Sequence, residues 1–89
     1  MAIQETELLK QVKIGLKELS NYNDSEISLW IKTAKGILRD AGISEKTVNS
    51  ERVIGLITIA VNDLRLRKNV LENGNFLLII NQIRMRDGE

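Results

Sequence analysis

The sequence predicts an all-α fold, a small bundle of about four helices with the third helix central and a short helix at the C-terminus. Three observations predict it. Apolar residues recur at helical spacing in each long segment. The chain contains no proline, so nothing interrupts a long helix. Only the stretch FLLII, 76–80, reads as an alternative strand, and no second strand is present for it to pair with.

The first helix is expected over about 5–19, where Leu8, Leu9, Val12, Leu16 and Leu19 share one face and Lys10, Lys13 and Lys17 lie mostly on the other. Gly15 weakens it by roughly 1 kcal/mol relative to alanine. The second helix, 24–41, has the best-marked start. Asn23 suits the N-cap and Glu26 stands at N3, a near match to a capping box, with Tyr22 placed to staple onto Ile27. Ile27, Trp30, Ile31, Ala34, Ile37, Leu38 and Ala41 form its apolar stripe, and Leu29 lies off it. Gly42 follows where a helix end favours a left-handed residue.

The third helix is expected over about 50–68. Val53, Ile54, Leu56, Ile57, Ile59, Ala60, Val61 and Leu64 cover most of its circumference, the pattern of a helix buried on several sides. Either it is the centre of the domain or a neighbouring subunit covers one side. The turn ENGN, 72–75, precedes a last helix over 75–85, with Phe76, Ile79, Ile80 and Ile83 at helical spacing. The charged end RMRDGE is expected to fray.

At 89 residues the chain is expected to form a single domain, 1–89, with a thin core. Its charge of +1 is far from the basic balance of most small DNA-binding domains. The opening MAIQETELLK has no apolar signal core, and the longest apolar runs fall well short of the ~20 residues that span a bilayer. The expectation is a protein made in the cytoplasm with no membrane partner. The absence of histidine and cysteine removes the commonest bases, nucleophiles and zinc ligands. The carboxylates are scattered and Gly74 lacks phosphate-loop companions. The expectation is therefore no enzyme, no catalytic residue, no cofactor and no metal.

The stretch AGISEKTVNSER, 41–52, resembles the turn and second helix of a DNA-reading helix-turn-helix. Gly42 would be the turn glycine, Ile43 and Val48 the buried anchors, and Ser44 to Thr47 the opening of the recognition helix. Against this, Glu51 stands where another apolar anchor is needed and Leu38 where a small residue is needed. The preceding helix is also too long, and Lys46 beside Glu45 offers phosphate little. A capped helix end followed by a connecting loop accounts for the same glycine.

The clearest signal is surplus apolar surface, which marks interfaces. Leu29, Leu77 and Leu78 have no evident place inside so small a domain. Asn62 and Asp63 interrupt the apolar third helix, either facing solvent, capping a backbone group, or bonding across a subunit boundary. Phe76 joins these as a candidate subunit-interface residue. Arg65, Arg67 and Lys68, with Arg84 and Arg86, would form a basic patch if the last two helices place them together.

The order of segments resembles the small helical head–tail connector proteins of tailed bacteriophages, also described as DNA-packaging or head-completion adaptors. The resemblance rests on NDSEISLWIKTAKGIL with the glycine that follows, on SERVIGLITIAVNDLRLRKN, and on FLLIINQIRMR, whose Ile79-Ile80 pair precedes Gln82-Ile83-Arg84. VNDLRLRKN lacks the aromatic residue that many members carry there. The resemblance implies a structural protein of the virion head–tail interface, assembled in the bacterial cytoplasm. It implies a ring of identical subunits beneath the portal protein, docking a tail-side adaptor or stopper, with packaged DNA passing non-specifically through the channel. Lys46, Arg65, Arg67 and Lys68 would then be the candidate channel-facing residues. A small helix-turn-helix regulator of phage or bacterial origin is the alternative, and a helical module for another partner is a third reading. Strong, salt-dependent duplex binding would mark the regulator.

Overall fold

The computed structural model describes residues 3–17 and 22–87. It is all-α, with no β-strand among the described residues. The helices are α1 (Glu5–Gly15), α2 (Asp24–Asp40), α3 (Glu45–Val48), α4 (Ile54–Arg65) and α5 (Gly74–Asp87), with 3-10 turns at Glu51–Val53 and Val70–Glu72. The Cα envelope of 40 × 29 × 18 Å is two helices thick, because packed helices lie about 8–10 Å apart.

α4 is the central helix, packed against α1, α2 and α5. The chain's own helices cover most of its apolar circumference, the first of the two explanations. Leu56, Ile57, Ala60 and Val61 are buried, and Ile54, Ile59 and Leu64 are half-buried against the same core. Each large apolar side chain taken fully out of water stabilises the fold by about 1.5–3 kcal/mol.

Asn23 caps α2 as its sequence predicts. The Glu26 N–H donates to Asn23 Oδ1 at 2.8 Å. Tyr22 sets its ring edge-on to Trp30, with centroids 5.0 Å apart. Such a pair adds about 0.5–1.5 kcal/mol beyond its burial. Ile27, Ile31, Ala34 and Leu38 are buried on the inner face, while Trp30, Ile37 and Ala41 are half-buried. At the far end Gly42 takes φ +93. Its N–H donates to Arg39 O at 3.0 Å, and the Ile43 N–H donates to Leu38 O at 3.1 Å. These two bonds make a Schellman motif, and buried Leu38 and Ile43 supply its apolar contact.

Several boundaries differ from expectation. α1 stops at Gly15 rather than near 19, because Leu16 leaves the helical region at φ −120, ψ 80. Leu19 lies outside the described residues. Gly15 has a packing role as well as a propensity cost: a Cβ there would stand 3.0 Å from Thr58 Cγ2 on α4. The expected third helix opens instead with the 3-10 turn. Ser50 Oγ donates to Thr47 O at 2.7 Å and accepts from the Arg52 N–H at 3.3 Å, tightening that first turn. It ends three residues early, in a second Schellman motif. The Arg67 N–H donates to Leu64 O at 3.1 Å and the Lys68 N–H to Asp63 O at 2.8 Å. Arg67, not a glycine, holds the left-handed position at φ 58. α5 begins at Gly74 and runs through the expected frayed end to Asp87.

Candidate functional site

Two kinds of surface emerge: an apolar one spread over several helices, and cations gathered at the helix ends. Leu29 on α2 is 63% exposed and Leu78 on α5 is 59% exposed. Leu77 is exposed to a lesser degree. Ile14, Leu66, Leu71 and Met85 are exposed as well, none of which sequence reasoning singled out. Met85 carried a usable signal, since it stands seven residues after Leu78 and repeats its helical face.

Two of the candidate interface residues belong to the interior. Phe76 is fully buried, because Phe76, Ile80 and Ile83 form the inward stripe of α5. Asp63 is 5% exposed, and its Oδ2 accepts from Asn73 Nδ2 at 2.9 Å. Asn62 is half-buried, and its Oδ1 accepts from Arg65 Nη2 within its own helix.

Asn73 is the residue that sequence reasoning missed. Its Oδ1 accepts from the Asn75 N–H at 3.0 Å and the Phe76 N–H at 3.2 Å, capping α5. Its amide nitrogen meanwhile satisfies Asp63. One side chain thus joins the α4 end to the α5 start. An apolar-periodicity argument gives no sign of such a polar pair ten residues apart.

The stretch that resembled a DNA reader forms a short, cross-braced corner. α3 has four residues, about one turn, capped by Ser44, whose Oγ accepts from the Thr47 N–H. Ile43 and Val48 are buried, as anchors in either reading would be. The Arg39 guanidinium grips the Glu45 carboxylate with both arms, Nε to Oε2 at 2.7 Å and Nη2 to Oε1 at 2.8 Å. Asn49 Nδ2 also donates to Glu45 Oε1 at 3.2 Å. Asn49 Oδ1 accepts in turn from Lys35 Nζ at 3.1 Å. The hydrogen bonds from Arg39 and then Asn49 hold the Glu45 carboxyl below the usual glutamate range. The hydrogen bond to Glu45 likewise raises the Arg39 pKa. Lys35, unremarked in the sequence, is 8% exposed, with its stem in the interior and its ammonium at Asn49. One turn leading straight into the 3-10 turn and buried α4 offers a major groove little helix to read with.

The cations do not assemble into one patch. Lys46 sits on α3, which leads into the N-terminal end of α4. Arg65, Arg67 and Lys68 stand at the other end, about 18 Å away along a 12-residue helix. Residues 66–73, with their 3-10 turn, join α4 to α5, and α5 packs back along α4 and carries Arg84 away from that end. Arg84 Nε lies 3.8 Å from the place a Cβ would occupy at Gly42, beside the end of α2. The expected basic patch is therefore split between two ends of the molecule. At the Arg65 end, a groove of about 490 Å³ is lined by Gly15, Leu16, Lys17, Asn62, Arg65 and Leu66. Among the described residues no group of histidine, cysteine, aspartate or glutamate side chains is placed to hold a metal ion. None of their helices is long and apolar enough to cross a membrane.

No protein-family profile, curated protein or solved structure matches this chain.

Proposed function

We propose that this protein is a structural component of a phage head–tail interface: a helical connector that assembles beneath a portal protein, extends the DNA channel and docks a tail-side adaptor or stopper. The observation that carries the reading is the apolar surface. Leu29, Leu78 and Met85 are each more than half exposed on a bundle whose core is already filled by its own helices. An apolar surface of this kind marks an interface where its residues are gathered into one patch, as Leu78 and Met85 are on one face of α5. The resemblance of NDSEISLWIKTAKGIL, SERVIGLITIAVNDLRLRKN and FLLIINQIRMR to connector proteins supplies the kind of partner.

The charge distribution supports the same reading. A charge of +1 with cations split between two ends gives DNA a few weak contacts, which suits a channel through which DNA slides. Arg67 and Lys68, both exposed, are the channel-facing candidates best placed to touch passing phosphates.

The test is binding to the portal protein encoded in the same genome, followed by electron microscopy of the complex. The reading expects a ring of the protein seated on the portal, and DNA-filled heads that leak without it. Failure to bind the portal, joined to tight and salt-sensitive binding of a DNA duplex, would replace the connector with the regulator. Charge reversal at Arg67 and Lys68 that leaves DNA retention and ejection unchanged would sink the basic-channel part alone.

A further inference from the structure

We infer that copies of this chain associate head to tail through two particular surfaces: the outward stripe of α5 in one copy lies antiparallel on the outward stripe of α2 in the next. This deepens the connector proposal and rests on it, naming the contact that would build the assembly.

Each stripe lies opposite its own helix's buried face. On α5, Phe76, Ile80 and Ile83 face the core, and Leu78 and Met85 point the other way, 59% and 77% exposed. On α2, Ile27, Ile31, Ala34 and Leu38 face the core, and Leu29 and Gly36 lie on the far side. The spacings match. Leu78 and Met85 are seven residues apart, as are Leu29 and Gly36, a rise of about 10.5 Å on each helix. A Cβ at Gly36 would meet nothing within 4 Å, so that position is an open notch. In the antiparallel register Leu78 fills the notch while Met85 packs against Leu29. An unbranched methionine adapts well to such a contact.

Charge chooses both the occupant and the direction. α5 carries Arg84 and Arg86 near its end, with Asp87, its last residue, the one acid in its sequence. The first turn of α2 carries Asp24 and Glu26. Asp24 is held by Lys13 at 2.9 Å, and Glu26 has no ion-pair partner among the described residues, nor has Arg86. With Met85 beside Leu29, Arg86 falls on the same flank of the seam as Glu26, within side-chain reach of it. The two stripes belong to different helices, so the contact is heterologous. Each added copy leaves one stripe open at either end until a ring closes or a filament grows.

The test uses the fact that the chain has no cysteine. Leu29→Cys and Met85→Cys are prepared separately, checked for native helicity, and oxidised alone and mixed at high concentration. The inference expects a disulfide dimer from the mixture and little from either variant alone, with a ladder of oligomers from the chain bearing both changes. Glu26→Arg should cut the mixed yield roughly fivefold, the scale of one surface ion pair, and Arg86→Glu in the other variant should restore it. Dimers formed as readily by one variant alone would overturn the contact. So would a wild-type oligomer with no Leu29–Met85 disulfide, or a chain that stays monomeric throughout. Portal binding is measured separately, so loss of this contact and loss of the connector reading are told apart.

Discussion

Asn73→Ala should be the most damaging polar substitution in the chain. The side chain accepts from two α5 backbone N–H groups, and loss of such a cap costs about 1 kcal/mol. It also donates to the Asp63 carboxylate, which is 5% exposed. Removing that donor leaves a buried acceptor unsatisfied, at about 1–3 kcal/mol. The expected loss is therefore about 2–4 kcal/mol, a large share of the ~5–10 kcal/mol that a domain of this size has. Urea unfolding followed by the single tryptophan, Trp30, and by far-ultraviolet dichroism measures it. Asn73→Ser keeps a cap but not the Asp63 bond, so it should fall between wild type and Asn73→Ala. Asp63→Ala removes the stranded acceptor, so the double variant Asp63→Ala/Asn73→Ala should be about 1–2 kcal/mol more stable than the sum of the single effects predicts. Additivity within ~0.5 kcal/mol, or an Asn73→Ala cost below that figure, would refute the bridging role.

Other outcomes follow from the same geometry. Gly15→Ala should destabilise by about 1–2 kcal/mol despite alanine's better helix propensity, because the new methyl meets Thr58 Cγ2 at 3.0 Å and Thr58 Oγ1 is tied to Ile54 O at 2.8 Å. Thr58→Ser, which removes that methyl and keeps the hydroxyl, should erase most of the penalty in a chemical-denaturation cycle. Arg67→Gly should stabilise by about 0.5–1 kcal/mol, since a side chain at φ 58 is disfavoured and glycine is not. No gain in thermal midpoint would mean that the arginine side chain compensates the strain. Glu45→Gln probes the α2–α3 brace. The Glu45 carboxyl is held below its ordinary range, so its stabilising effect is present above the unfolded value of about 4.3 and is lost as pH falls below it through the folded value. The stability gap between wild type and Glu45→Gln should therefore exist at neutral pH and close in acid. A gap that ignores pH would remove the charged clamp from the account.

Legibility followed the physics of each signal. The α2 start and end were readable because Asn23, Glu26 and Gly42 act through their own backbone, within a few residues. The central place of α4 was readable because a helix apolar on most sides must be covered. The α4 end was hidden, since an arginine holds a position that normally announces itself as glycine. Phe76 was misplaced because it was counted with the surplus apolar residues of FLLII although its spacing already put it on the stripe of Ile80 and Ile83. The spacing of Phe76, Ile80 and Ile83 carried the inward phase, and the structure buries all three. The split of the cations was invisible, because Arg65 and Arg84 are brought together or parted by the direction in which α5 returns. Leu29, which lies off the stripe of a strongly amphipathic helix, was legible as surface from its position alone.

The most direct test of the assembly reading is sedimentation velocity over a range of concentrations, alone and with a short DNA duplex at moderate salt. The account predicts association that grows with concentration and weakens in Leu29→Ser and Met85→Ser, with the duplex sedimenting separately. A monomer at every concentration that carries the duplex with it in a stable complex would contradict the account, and AGISEKTVNSER would then deserve its DNA-reading interpretation.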